Sequence, residues 1–332
     1  MKPLIKHLVE ANGPSGYESA VRDLIKAEVT GLADDVRVDA LGNLIARKGT
    51  QQENGLRIML SAHMDEIGLI ATFVDEKGFI RFTTIGGVRP HTLLGGRVQF
   101  LKGVRGVIGG ERLDSPTKLH SFDQMFIDVG ATSREDCPVS VGEMAIFERK
   151  FVDLGKRLVS KAMDDRISVA VQIEALRHIK STPHELHFVF STQEEVGTRG
   201  AGTAAFSVDA ELGLSVDVTM TGDTPKGPKM AVELGKGPAI KVRDSGMISD
   251  PRVVRWMVET AQRENIPYQL EVLEGGSTDA RIMQVTRAGM PAGCLSIPCR
   301  YVHSPSEMVD VDDVKNAVKL LVALLSHPVV LK

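Results

Sequence analysis

The stretch that most constrains what this chain can fold into is Leu186 to Phe190, a mostly apolar run leading into Ser191-Thr-Gln-Glu-Glu-Val-Gly197. A short apolar run in a β-rich context predicts a strand buried on both faces. Two adjacent carboxylates, Glu194 and Glu195, stand where that strand should end. Gly197, Gly200 and Gly202 follow and let the backbone turn tightly or approach something closely. In open α/β sheets, ligands gather outside the carboxyl ends of the strands. Like charges side by side are costly there unless a cation holds them. One carboxylate could therefore bind a metal while its neighbour moves protons. For this stretch alone, a solvated Glu-Glu pair in a surface loop is the alternative.

A chain of 332 residues has room for two domains, or for one large domain carrying an insertion. The formal net charge of -3 and the 5% aromatic content supply neither a basic surface nor a stacking platform. No nucleic-acid partner and no anionic membrane is expected. Cys137, Cys294 and Cys299 do not make a disulfide framework and read as reduced thiols. The N-terminus has no signal-peptide core, and no apolar run approaches membrane-spanning length. These features predict a soluble, cytoplasmic protein.

Helical spacing joins Leu4, Ile5, Leu8 and Val9, and then Val21, Leu24, Ile25 and Val29, with Ser15 as the expected cap of the second helix. A hairpin is expected around Leu41-Gly42-Asn43, and a strand from Leu56 to Ala62 delivers His63 and Asp65. From Gly68 to about Asp153, short β-like pieces alternate with turns, with one short helix expected near Ser133 to Asp136. This texture predicts a small β-barrel or sandwich inserted into an α/β protein. The α/β rhythm resumes at Lys161: a helix, the strand Leu186 to Phe190, and a strand from Leu212 to Val216 ending at Asp217. A long loop over 222–237 follows. Later come a helix at Pro251 to Glu264, an extended piece at Tyr268 to Val272 and a helix at Asp279 to Val285. A strand from Ala292 to Ile297 leads on to His303, and a helix from Asp312 to Ser326 closes the chain.

His63, Asp65, Glu194, Glu195, Asp217 and His303 all fall at or just past expected strand ends. Asp164-Asp165 lies just before a helix, where the positive end of the dipole suits an anion. Each alone has a plain structural role: a packed histidine, an N-cap pair, a turn aspartate. Together, oxygen and imidazole donors without thiolates suit Zn²⁺, Co²⁺ or Mn²⁺ in a hydrolytic site. A bridging carboxylate is needed if two metals are held close, and the sequence permits either Asp164 or Asp165 in that place.

The ordered motifs Ser61-Ala-His-Met-Asp-Glu-Ile-Gly68, Lys161-Ala-Met-Asp-Asp-Arg166, Thr192-Gln-Glu-Glu-Val-Gly197, Ser215-Val-Asp217, Gly275-Gly-Ser-Thr-Asp-Ala280 and Tyr301-Val-His-Ser-Pro305 span nearly the whole chain. In them the sequence resembles the cytosolic di-metal aminopeptidases that assemble into hollow tetrahedral particles, the glutamyl and deblocking aminopeptidases. Some members carry the name endoglucanase. The resemblance implies an α/β, mixed-sheet di-zinc peptidase domain with helices on both faces, formed by 1–67 and 158–332. Residues 68–157 would be an inserted β-barrel-like dimerisation domain. It further implies hydrolysis of N-terminal residues from short peptides through a water activated by two divalent ions (Zn²⁺, Co²⁺ or Mn²⁺). Asp164 would bridge the ions, His63 and Asp217 would complete one, and Glu195 and His303 the other. Glu194 would be the general base, and Asp65 would orient His63 or the metal cluster. The implied particle is a homododecamer built from dimers.

Three further expectations concern the surroundings of the site. The Gly275 to Ala280 turn is expected to line it as wall, and Arg166 to pair with Asp165 or another site carboxylate. Lys226, Lys229, Lys236 and Lys241 crowd one region that could favour acidic peptides, although solvated loop lysines are expected there. The rival readings are a metal-free glycosidase with two carboxylates, which leaves His63 and His303 unexplained, and a non-catalytic assembly or peptide-binding protein on a retired peptidase fold.

Overall fold

A computed structural model describes residues 1–115 and 117–331. Its centre is an 11-stranded mixed sheet. In spatial order the strands are Asp35–Val38, Leu44–Lys48, Glu185–Ser191, Arg57–His63, Leu212–Thr219, Ala292–Arg300, Glu307–Asp310, Arg157–Ser160 and Val152–Asp153. Ala239–Arg243 pairs with Ala292–Arg300, and Gln269–Val272 pairs with Ala239–Arg243. The four consecutive strands from Glu185–Ser191 to Ala292–Arg300 run parallel. Their carboxyl ends therefore share one edge. This edge makes the site.

The strand period of two explains how both faces are covered. Leu186, Phe188 and Phe190 pack in one cluster with Ile167, Val171 and Leu321, residues of the helices Met163–His178 and Val311–Leu325. Val189, Met59 and Ile45, which point the other way, pack with Ala201, Ala205 and Met283 of the helices Arg199–Val208 and Ala280–Gln284. Every residue of Leu212–Thr219 is buried, as a strand sandwiched between helices requires. The expected α/β sheet with helices on both faces is thus observed.

Between Gly68 and Phe147 the strands Gly68–Val74, Ile80–Ile85, Met125–Asp128, Arg105–Gly110, Arg97–Phe100 and Met144–Phe147 close into a six-stranded barrel. Leu69, Phe82, Val98, Phe100, Ile127 and Phe147 fill it as a core of its own. Among the described residues no helix is long and apolar enough to cross a membrane.

Several local expectations are corrected. Residues 133–136 form a turn instead of a helix, because the Asp136 carboxylate accepts the backbone N–H groups of Thr132 and Ser133 at 3.0 and 2.9 Å. Ser15 does not cap the second helix, Ser19–Val29; its hydroxyl donates to Asp65 Oδ2 at 2.5 Å. Leu212–Thr219 runs past Asp217, which therefore sits within the strand. Ala292–Arg300 continues through Pro298 because Cys299 and Arg300 pair with Val309 and Met308 of Glu307–Asp310. That short strand was not foreseen; its pairing joins residues distant in sequence, with no local period to announce it.

Candidate active site

His63 ends one parallel strand, Glu194 and Glu195 follow the next, Asp217 lies near the end of a third, and His303 follows the fourth. Asp164 and Asp165 enter from the start of Met163–His178, where both residues leave helical backbone angles. His63, Asp164, Glu194, Glu195, Asp217 and His303 all line one cavity of about 440 Å³. Of the non-glycine residues in the left-handed backbone region, Thr198 and His303 line it, and Ala162, Gln193 and Tyr301 lie within two residues of others that do. Such backbone is sparsely populated and is concentrated at functional sites.

Asp164 occupies the middle. Its Oδ1 lies 3.0 Å from His63 Nε2, and its Oδ2 lies 3.3 Å from His303 Nε2. Glu195 Oε2 is also 3.3 Å from His303 Nε2, and Glu194 Oε2 is 4.0 Å from His63 Nε2. Donor atoms of His63, Asp164 and Glu195 lie within 4.8 Å of one another, as do those of His63, Asp165 and Asp217. Asp165 is fully buried and accepts the His63 backbone N–H at 3.3 Å.

A second layer holds these groups in place. Asp65, predicted to orient His63, does not line the cavity but ties two strand ends together. Its carbonyl oxygen is 3.1 Å from His63 Nδ1, and its carboxylate accepts the N–H groups of Glu194 and Glu195 at 3.0 and 3.1 Å. Asp279, inside the Gly275 to Ala280 turn, accepts the hydroxyls of Ser61 and Ser191 at 2.5 Å each, anchoring the turn that forms one cavity wall. Glu307, overlooked in the sequence, accepts the N–H of Asp164 and of His303, both at 2.9 Å. Arg166 corrects another expectation. It binds the carbonyls of Met64, Leu8, Ala11 and Gly13 and lies 3.7 Å from Glu66, which also pairs with buried Lys161 at 2.7 Å. The barrel reaches the site as well: a Cβ at Gly87 would lie 2.4 Å from His303 Nδ1, so the barrel backbone lies directly against that imidazole.

The cluster is short of positive charge. Burial pushes the carboxyls of Asp165, Glu194 and Asp217 well up, and Glu195 up less, with neighbouring carboxylates adding to the effect. Burial also opposes ionisation of Asp164, yet hydrogen bonds from His303 and His63 hold it below the usual carboxylate range. His303 is pushed up to about 12: burial works against its charged form, and Glu195 and Asp164 outweigh it. Asp165 Oδ1 and Glu195 Oε1 are buried without a hydrogen-bond partner. Two imidazoles do not balance this many buried carboxylates. Divalent cations would, and an oxygen-rich set with imidazoles suits them.

Lys241 departs from the expectation of a solvated lysine. Lys226, Lys229 and Lys236 are exposed, but Lys241 lies in Ala239–Arg243, fully buried on the cavity wall. Its ammonium bonds Glu271, which is also fully buried and accepts the Thr219 hydroxyl at 2.7 Å. Lys241→Met should cost about 3–5 kcal/mol in urea unfolding, because Glu271 is left buried and unpaired. The double variant Lys241→Met/Glu271→Gln should recover most of that loss. Equal stability of the single variant and the parent would show that the pair has no structural role.

Fold and site together define a class: an α/β enzyme with an acidic, imidazole-bearing cavity at the carboxyl edge of its parallel strands. Residues 42–320 match the model of the M42 glutamyl aminopeptidase family. The chain is 38% identical to a lysyl aminopeptidase of Pyrococcus furiosus over 98% of this chain and 96% of that protein. In structure it is similar to an aminopeptidase from the archaeon Desulfurococcus kamchatkensis (TM-score 0.94, 39% identity, 98% of this chain and 94% of the other). It is also similar to a Pyrococcus horikoshii peptidase that can assemble into a tetrahedron or a large octahedral shell (TM-score 0.86, 32% identity, 98% of each chain). The chain belongs to the M42 glutamyl aminopeptidase family. It is a peptide hydrolase, a metal-dependent aminopeptidase.

Proposed function

We propose that this chain removes N-terminal residues from short peptides using two divalent ions held around Asp164. The observation carrying this reading is the position of Asp164 between two imidazoles, one carboxylate oxygen facing each. Asp164 is then the shared ligand, His63 and Asp217 complete one set, and Glu195 and His303 the other. Asp165, whose carboxylate is engaged with the His63 backbone, is the less suited bridge. Bound divalent ions, Zn²⁺, Co²⁺ or Mn²⁺, supply Lewis acidity toward the scissile carbonyl and acidify water. Glu194 lies outside the ligand set but lines the cavity beside it. Burial raises its carboxyl well above the ordinary range, which suits a base that takes a proton from the attacking water and hands it to the departing amine. Asp65 positions the His63 ring through Nδ1 and holds the Glu194–Glu195 backbone, as an outer partner of a metal site does.

The same reading divides the chain into a catalytic unit, 1–67 with 158–332, and an inserted unit, 68–157, whose barrel pairs subunits. Exposed Phe73, Leu101 and Val107 on the barrel strands or the turns joining them, and the shell-forming relative, support pairing and a homododecamer built from dimers. A cytoplasmic location accords with the three unpaired cysteines.

The test is hydrolysis of a panel of aminoacyl chromogenic substrates by the protein as purified, after chelation, and after restoring Zn²⁺, Co²⁺ or Mn²⁺. Activity should vanish on chelation and return with metal. Chelator-resistant activity would overturn the two-metal assignment and favour a metal-free hydrolase using two carboxylates.

A further inference from the structure

A second cavity, of about 460 Å³, adjoins the first, and Arg89 and Val302 line both. Its character is opposite. The first is lined by Asp164, Glu194, Glu195 and Asp217; the second by Arg89, His91 and Arg149 with serine and threonine hydroxyls, and by no carboxylate. Among the described residues neither Arg89 nor Arg149 has a carboxylate partner; Arg149 Nη1 donates only to the Glu148 carbonyl, at 3.1 Å. Unpaired guanidiniums facing one concavity offer planar, forked donors that match a carboxylate.

The position of Arg89 follows from how the barrel meets the site. Gly86 and Gly87 lie so close to Glu195 and His303 that a Cβ on them would stand 2.5 Å from Glu195 Oε2 and 2.4 Å from His303 Nδ1. Val88 is buried in the barrel core, and the tight turn Pro90–Thr92 follows. Arg89 is thus held between two anchors, two residues past the glycine that abuts His303, and lines the same cavity as that imidazole. Tyr301 and His303, both in left-handed backbone, shape the facing loop.

We infer that the second cavity receives the departing segment of a short peptide, with Arg89 and Arg149 binding its free α-carboxylate. This rests on the aminopeptidase reading and extends it. A short unblocked peptide carries an anion at the end that departs, and the second cavity, with two guanidiniums and no carboxylate in its lining, offers a place for it next to the site. That contact would favour small peptides with a free C-terminus over longer or C-terminally blocked ones. Arg89 is then a specificity-determining residue, supplied by the barrel.

The test compares one tripeptide as free acid and as C-terminal amide, with the metal-loaded protein. For the parent, kcat/KM should be about tenfold or more higher for the acid, the size expected of charge-assisted hydrogen bonds, with the difference in KM. In Arg89→Gln the acid-to-amide ratio should fall toward one, and Arg89→Lys, which keeps the charge, should restore part of it. Arg149→Gln should lower the ratio less than the double variant. A parent ratio near one, or an Arg89→Gln ratio equal to the parent's, overturns the inference. Calorimetric binding of the product dipeptide, acid against amide, puts the same question without catalysis. An acid preference lost in Arg89→Gln supports the inference, and equal binding overturns it. Failure to hydrolyse either tripeptide would count against the aminopeptidase reading alone.

Discussion

Glu194→Gln is expected to retain its metal and to hydrolyse aminoacyl substrates about 10²–10⁴-fold more slowly, with the loss in kcat and little change in KM. Glutamine keeps the size and hydrogen-bonding reach of the side chain but cannot take a proton. The Glu194 backbone N–H still donates to Asp65, so the loop should hold its place. Glu194 Oε2 is 4.0 Å from His63 Nε2, whereas Asp164 approaches His303 to 3.3 Å and His63 to 3.0 Å, which sets Glu194 at the edge of the ligand group. Steady-state kinetics together with the metal content of the purified variant decide the matter. An unchanged kcat removes Glu194 as the base. Loss of metal would instead make it a ligand.

Asp164→Ala is expected to lose both ions. One carboxylate stands between His63 and His303, so its removal takes a donor from each set and leaves imidazoles facing each other across a gap. Removing an outer partner of a metal ligand typically costs 10–100-fold in affinity, so loss of a shared ligand should exceed about 100-fold. Equilibrium dialysis against Zn²⁺ measures this directly, with circular dichroism to show that the fold persists. Asp165→Ala is the matched comparison. If Asp165→Ala loses both ions while Asp164→Ala keeps them, the shared ligand is Asp165, and the partnerless Asp165 Oδ1 would face the metal.

Much of the architecture was legible in the chain because it rests on local regularities. The apolar run Leu186 to Phe190 announced a strand covered on both faces, and alternate residues do pack into separate clusters. The change to short β pieces after Gly68 announced a small barrel or sandwich, and strand pairing closes it as a barrel. Acid and imidazole residues at successive strand ends were legible as a group because parallel strands bring those ends to one edge, and five of them line a single cavity together with Asp164 from a helix start. Ser15 and the 133–136 turn misled for a local reason: a hydroxyl or carboxylate near a helix start can as readily serve another partner.

By itself the sequence determined the class of fold, the family and the short list of chemically capable residues, since these follow from period, spacing and ordered motifs. Only the tertiary structure decided which groups meet. Asp164 faces His63 across 101 residues of chain, and its backbone is held by Glu307 across 143. Charge alone says nothing of burial, so the sequence groups Lys241 with the solvated lysines; strand pairing places it inside, against Glu271. Arg89 carried no signal at all in the sequence. It reaches the cavity that His303 lines where the barrel backbone packs on the strand ends, a contact between segments distant in sequence that no local pattern encodes.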